Sequence, residues 1–393
     1  MESAPGDEQM KSFPINVQEV LAPLKEFQRR SVDYIFNRMY GPNPTTRFLL
    51  ADEVGLGKTL VARGIIAKAI EHLWNKVDRI DVIYICSNSD IARQNITSLN
   101  ITGKDDFALA TRITLLPQIL SEKRLNNRLN FVSFTPGTSF ELKGRTGIIK
   151  ERVLLYWLTT EAYGHKGSAA INVFRATARY ETFRRKTKDF EQNPELDNQI
   201  RDSFMHELKL NKSLREKFKF LCKKYERNNG TQSWETRREM SYFIGQLRNT
   251  LARTCLRSLE PDLIILDEFQ QFKYLLNGQD EAAQLAKELF TYCDKHTQAR
   301  VLLLSATPYK MYTLSQESQD DDHYTDFIQT LDFLFEHEVE KTERFKSCLE
   351  DYRKEIYRIA DNGTENLIKI KTNIENQLSQ VMVRTERLAS TID

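Results

Sequence analysis

Residues 48–59 read Phe-Leu-Leu-Ala-Asp-Glu-Val-Gly-Leu-Gly-Lys-Thr, and they limit the fold more than any other stretch of the chain. Residues 47–51 are short and mostly apolar, which predicts a buried parallel strand. From Leu60 the pattern turns helical: Ala62, Ile65, Ile66, Ala69, Ile70 and Leu73 recur at spacings of three and four. Between the two, Gly55 and Gly57 allow backbone conformations closed to other residues and let the main chain approach an anion. A helix starting near Lys58 turns its free N–H groups and positive dipole end toward that turn. Strand, glycine turn and helix, ending in Gly-Lys-Thr, are the parts of a P-loop. Lys58 then reaches the β- and γ-phosphates of a nucleoside triphosphate, the Thr59 hydroxyl holds Mg²⁺, and Asp52, Gly55, Leu56, Gly57 and Leu60 complete the cradle. The strict pattern has glycine six residues before the lysine, where this chain has Asp52. The competing reading, a chance Gly-x-Gly-Lys-Thr in a turn, is opposed by the strand before it and the helix after it.

A chain of 393 residues holds two or three domains. Its 40% hydrophobic content buries a sizeable core, and its 28% charged content suits a soluble protein. No apolar run reaches the roughly 18 residues of a membrane span. Residues 1–11 carry acids and no apolar core, unlike a signal peptide, so the expected compartment is the cytoplasm. The five cysteines are scattered without a Cys-x-x-Cys, and the six histidines form no ligand pair at helical spacing, which argues against disulfide and zinc frameworks. The net charge of +2 conceals an asymmetry: residues 141–258 hold 25 Lys/Arg against 14 Asp/Glu. A basic segment in an acidic body predicts a local contact with a polyanion.

Residues 1–17 read as a flexible arm. Residues 18–39 form an amphipathic helical region interrupted at Pro23, and within it Gln28 has an amide able to read an adenine edge. The alternative for Gln28 is an exposed helical residue. After the P-loop helix, residues 81–86 form a second buried strand, followed by a helix containing Gln94 and Asn95. A further strand at 129–134 runs into Thr135-Pro136-Gly137-Thr138. Ser133, Thr135 and Thr138 are candidate nucleic-acid contacts there, although loops of this composition are common. Alternating strands and helices predict a parallel sheet flanked by helices, with ligands outside the carboxyl ends of its strands.

The alternation stops over 141–258, where helical spacing dominates. Arg184, Arg185 and Lys186 follow Phe183, and Phe218, Leu221, Cys222 and Tyr225 share a helix face with lysines elsewhere. One reading is an insertion gripping a nucleic-acid backbone. The other is an ordinary helical subdomain with its aromatics inside and its charges in water. The sheet resumes at 261–266, and its strand delivers Asp267 and Glu268 at the carboxyl end. Asp267 is placed to hold Mg²⁺ and Glu268 to orient or deprotonate a water. A strand at 300–304 ends in Ser305, Ala306 and Thr307, hydroxyl residues able to couple the phosphate site to movement. Residues 321–393 read as helical.

The order Phe27-Gln28, 52–59, 267–270 and 305–307 resembles that of superfamily-two helicases and translocases, and Asp-Glu-x-Gly-Leu-Gly-Lys-Thr resembles the Swi/Snf-like branch, which carries Asp at the first position. Gln94-Asn95 resembles the end of its motif Ia, and residues 383–387 resemble the joint before a second RecA-like domain. The carboxylate motif reads Asp-Glu-Phe-Gln, not Asp-Glu-Ala-His or Asp-Glu-Ala-Asp. The resemblance covers roughly residues 20–140 and 258–310 plus the joint. It implies an α/β, RecA-like P-loop NTPase domain, split into 18–140 and 259–320 by the insertion 141–258, with 321–393 leading to a second RecA-like domain. ATP and Mg²⁺ are the implied cofactors, Gln28 sits by the adenine, and Ser305, Ala306 and Thr307 couple hydrolysis to movement on double-stranded DNA. No second sheet pattern follows residue 387, so the expectation is the ATP-binding half of a motor, weak in hydrolysis alone, with defence against foreign DNA one conceivable setting. Two other classes stay open: a nucleotide-gated module whose insertion binds a protein partner, and a signalling P-loop ATPase.

Overall fold

The computed structural model describes residues 15–99, 101, 107–123, 128–140, 142, 145–226, 233–294, 297–305, 323–358 and 363–386. At their centre is a parallel sheet of seven strands: β1 (Arg47–Leu50), β2 (Ile80–Ile85), β3 (Phe107–Ala110), β4 (Leu129–Phe134), β5 (Pro261–Asp267), β6 (Arg300–Leu304) and β7 (Met382–Val383). They lie in the order β3-β4-β2-β5-β6-β1-β7, and every neighbouring pair is parallel. β1, β2, β4 and β5 are buried along their whole length. Burial on both faces is why their sequences read as near-continuous apolar runs.

The period of two along each strand sorts the side chains between the faces. Phe48, Leu50, Val82, Tyr84, Leu263 and Leu302 share a core with α1 (Val17–Leu21), α2 (Glu26–Tyr40), α3 (Lys58–Leu73) and α4 (Ser89–Leu99). Their neighbours Leu49, Ile83, Ile264, Leu266, Val301 and Leu303 face the opposite core. α5 (Leu116–Lys123) and the single turn α6 (Pro136–Ser139) flank β4. The opposite core then takes in α7 (Ile149–Tyr163), α8 (Ser168–Arg175), α9 (Tyr180–Gln192), α10 (Asn198–Leu210), α11 (Lys212–Tyr225) and α12 (Trp234–Arg257). After β5 come α13 (Tyr274–Asn277) and α14 (Glu281–Phe290), and after β6 come α15 (His323–Leu334), α16 (Val339–Tyr357) and α17 (Glu365–Ser379).

Helices α7–α12 lie within 149–257, so the described part of the basic segment is helical and its buried residues are continuous with one face of the sheet. Its centre is aromatic. Phe174 lies 6.1 Å from Phe218, which stacks on Phe243 at 5.8 Å between ring centroids. Phe183, Phe204 and Phe218 are fully buried. Arg184, Arg185 and Lys186 are exposed on α9. A buried ion pair joins two helices of the segment: the Arg248 guanidinium on α12 donates to Glu151 Oε1 on α7 at 2.9 and 3.1 Å, and both are 1% exposed. Glu151 also accepts from Thr114 Oγ1 at 2.6 Å, beside β3, and from the Ile148 N–H at 2.7 Å.

The end of the expected arm over 1–17 is held in the core. Ile15 and Val17 are buried in the α1–α4 core, because the apolar residues that open α1 need a partner and find one against α3. Ala306, Thr307 and Arg387 lie outside the described residues, as do Asn228, Asn229 and Gly230 and Asp320, Asp321 and Asp322. No helix among the described residues is long and apolar enough to cross a membrane.

Candidate active site

The glycine turn is built as its residue types require. Gly55 has φ 80° and Gly57 φ 81°, both left-handed. Gly57 is the N-cap of α3 and brings no side chain to cap it, so the free N–H groups of the first turn open on the loop. A Cβ at Gly57 would stand 2.5 Å from Gln28 Nε2. Gln28 fills that space: its Nε2 donates to the Leu56 carbonyl at 2.8 Å, and its Oε1 accepts from the Lys25 N–H at 2.9 Å. The amide fastens the start of α2 to the loop, using one of its two N–H groups and one lone pair.

Lys58 Nζ is folded back on the loop, donating to the Asp52 carbonyl at 3.0 Å and the Glu53 carbonyl at 3.3 Å. Burial lowers its pKa, while the charges of Asp52, Asp267 and Glu268 pull it back up. Those last two carboxylates come from the far side of the chain. β6 lies between β1 and β5, so the carboxyl ends of β1 and β5 are two strand spacings apart, about 10 Å. At the end of β6, the Ser305 N–H donates to the Leu50 carbonyl at 3.0 Å, and Ser305 is fully buried.

Asp267 is 8% exposed and firmly held. Its Oδ2 accepts from Tyr84 Oη at 2.5 Å and from Asn95 Nδ2 at 3.1 Å, and Asn95 Nδ2 also donates to Tyr84 Oη at 2.8 Å. Burial, and then the charge of Asp267, push the Tyr84 hydroxyl far above its usual pKa, so it stays a donor. Asp267 Oδ1 has no hydrogen-bond partner among the described residues. Glu268 has φ 51° and ψ 43°. A left-handed conformation costs a non-glycine residue about 1–2 kcal/mol, and such strain gathers where a side chain must be aimed. Gln271 Nε2 donates to Glu268 Oε2 at 3.1 Å.

Two expectations about this edge need correction. Asp52 is fully buried, and its Oδ1 accepts from the Thr385 N–H at 2.7 Å. Burial raises its pKa, while hydrogen bonds from Thr385 and the charge of Lys58 lower it. Its carboxylate therefore faces the segment after β7, and its carbonyl accepts from Lys58 Nζ. Ser133 is likewise fully buried within β4, so it presents nothing to a nucleic acid. Thr135 is 7% exposed, its N–H bound to Ser139 Oγ at 3.0 Å. Of the three hydroxyl residues only Thr138 is exposed, its Oγ1 donating to the Thr135 carbonyl at 3.3 Å.

Asn95 and Thr385 lie in stretches that the sequence marks, but it does not foretell their contacts with Asp267 and Asp52, and it leaves Tyr84 out of the site altogether. The sequence signal for Tyr84 is a phenol in a buried strand, where its hydroxyl must find a partner. Among the described residues no group of three or more His, Cys, Asp or Glu is placed to hold a metal. No protein-family model matches the chain, and no curated protein matches it significantly.

Proposed function

We propose that this chain carries the ATP-binding domain of a nucleic-acid-dependent ATPase, a RecA-like domain of the superfamily-two helicase and translocase type that works on double-stranded DNA. The observation that carries the reading is the convergence at one sheet edge. An uncapped, glycine-led helix start bears Lys58 and Thr59, and across β6 stand a clamped Asp267 and a left-handed Glu268. A triphosphate is long enough to span that gap.

The residues present fit a magnesium nucleotide. Thr59 and Asp267 Oδ1 are the groups that would hold the metal, which, when bound, neutralises charge on the phosphate oxygens. One carboxylate with phosphates and water is an ordinary magnesium shell, so no larger acid cluster is needed. Lys58 exchanges its two carbonyl partners for phosphate oxygens. Glu268 accepts a proton from the attacking water. The new P–O bond forms as the bond from the γ-phosphorus to the bridging oxygen breaks, ADP leaves with that electron pair, and the proton ends on the departing phosphate. Closure of a second RecA-like domain on this exposed edge adds an arginine, worth about 10³–10⁵ in rate in related phosphate chemistry. Ser305 links the ends of β1 and β6, which suits a coupling role alongside Ala306 and Thr307. Thr138 and the exposed Arg184, Arg185 and Lys186 are the candidate duplex contacts.

Lys58→Ala is expected to weaken ATP binding by about 10–150-fold, the value of a charge-assisted hydrogen bond. Titration calorimetry with ATP and Mg²⁺ checks it, and wild type that takes up no ATP would end the reading. Tyr84→Phe leaves Asp267 with Asn95 alone. It is expected to raise the Mg²⁺ concentration for half-maximal turnover several-fold, with metal-free ATP binding unchanged. An unaltered Mg²⁺ dependence would mean that Tyr84 only fills space. A second reading, a nucleotide-gated module that binds a protein, draws on the burial of Phe183, which takes the ring adjoining Arg184, Arg185 and Lys186 out of reach of a base. Salt titration separates the two: duplex binding through phosphates gives log K falling with log salt by about 0.9 per contact.

A further inference from the structure

α11 and α12 carry none of the residues of the sheet edge, yet their outer side has a chemistry of its own. Phe218, Leu221, Phe243 and Leu247 already fill the interface between these helices and the core. Three further aromatics are left outside: Trp234 is 70% exposed, Tyr242 49% and Phe220 46%. Each has a cation over its ring. Arg238 Cζ lies 5.4 Å from the Trp234 centroid, Lys217 Nζ 4.3 Å from that of Tyr242, and Lys224 Nζ 5.2 Å from that of Phe220.

These six residues are one strip. Trp234, Arg238 and Tyr242 follow one another at four-residue steps along α12, and Lys217, Phe220 and Lys224 at steps of three and four along α11. Lys217 joins the two rows, touching Tyr242 and donating to Gln246 Oε1 at 3.4 Å. Along the strip aromatic and cation alternate. α11 adds to the charge, with six Lys or Arg against one Glu, and that Glu216 is paired with Lys219.

We propose that this strip is a second nucleic-acid site, for a single strand with unpaired bases. Exposed rings stack on base faces without regard to sequence, and interleaved cations follow the phosphates. A duplex hides its base faces and would use the cations alone. The proposal stands whether or not the P-loop takes up ATP.

The test uses the full chain without nucleotide and a thymidine oligonucleotide of about 20 residues, long enough to cover a site of about 4–16 nucleotides. Of the three tryptophans, Trp74 is 8% exposed, Trp157 is half-buried and Trp234 is open. Binding should therefore quench tryptophan emission, and Trp234→Phe should abolish the quench while retaining affinity. Phe220→Ala, Tyr242→Ala and Trp234→Ala should each lower affinity about tenfold by anisotropy. Lys217→Gln with Lys224→Gln should flatten the salt dependence. Circular dichroism confirms that these surface variants fold. Lys58→Ala should bind the strand as wild type does. Quenching and strand affinity in a sample that takes up no ATP would end the motor reading and leave this one standing. Unchanged affinity in the triple alanine variant overturns the proposal, as does tighter binding of a duplex of equal length without quenching. Loss of strand binding in Lys58→Ala overturns it too, since the strand would then lie at the sheet edge.

Discussion

Glu268→Gln is expected to lower ATP turnover by about 10²–10⁴-fold, the usual contribution of a positioned general base, and to leave ATP affinity unchanged. The amide keeps the volume of the carboxylate and an oxygen for Gln271 Nε2, which donates to Glu268 Oε2 at 3.1 Å. What it loses is the capacity to take a proton. The backbone supplies a companion test. Glu268 holds φ 51°, a conformation glycine adopts freely. Glu268→Gly should therefore abolish turnover while global stability stays within about 1 kcal/mol of wild type, because relief of strain offsets the lost side chain. Steady-state hydrolysis and calorimetric ATP titration, each with and without duplex DNA, read both variants. Turnover that survives Glu268→Gln would move the base elsewhere and leave the strain at this residue without a function.

Glu151→Ala is expected to destabilise the fold by about 3–5 kcal/mol, the loss typical of a buried ion pair broken on one side. The carboxylate is 1% exposed and accepts from Arg248, Thr114 and the Ile148 N–H. Arg112 stands 3.6 Å away. Its removal strands the Arg248 guanidinium, itself 1% exposed, without its counter-charge. A loss of that size is a large share of the roughly 5–15 kcal/mol that holds a domain together. The double variant Glu151→Leu/Arg248→Met should recover most of it, since a well-packed apolar pair of similar volume is often as stable as the buried ions. Urea unfolding followed by far-ultraviolet circular dichroism reports the midpoints. A double variant no better than Glu151→Ala would show that the network joins α7, α12 and the turn beside β3 through its hydrogen bonds more than through its charge balance.

The insertion shows how one sequence pattern serves two purposes. Phe218, Leu221, Cys222 and Tyr225 share a helix face in the sequence, and in the structure that face is core. The basic residues between them are left outside, as amphipathic spacing requires. Phe183 looked like part of a basic-aromatic cluster with Arg184, Arg185 and Lys186, yet it is fully buried. Phe220, Tyr242 and Trp234, which no local pattern marks, are the rings that face outward. Periodicity says which residues lie together on a helix. It does not say which helix faces are already occupied by a neighbour.

The sequence by itself determined the glycine turn and its lysine, the buried strands at 47–51, 81–86, 129–134, 261–266 and 300–304, and the two carboxylates at the end of the fourth. All of these are local signals, carried by residue types within one or two turns of chain. β1, though only four residues, was legible because the glycine turn follows it, whereas β3 has no such turn beside it and the two residues of β7 are too few to show a period. Tertiary structure alone decided what holds the site. Tyr84 and Asp267 meet across 183 residues of sequence, and Asp52 and Thr385 across 333. The strand order that sets β1 and β5 on either side of β6 brings Lys58 toward Asp267 and Glu268. Asp52, read in the sequence as a mark of one kind of P-loop, ties the turn to the segment after β7. A buried carboxylate needs a donor, and only the folded chain shows which distant N–H supplies it.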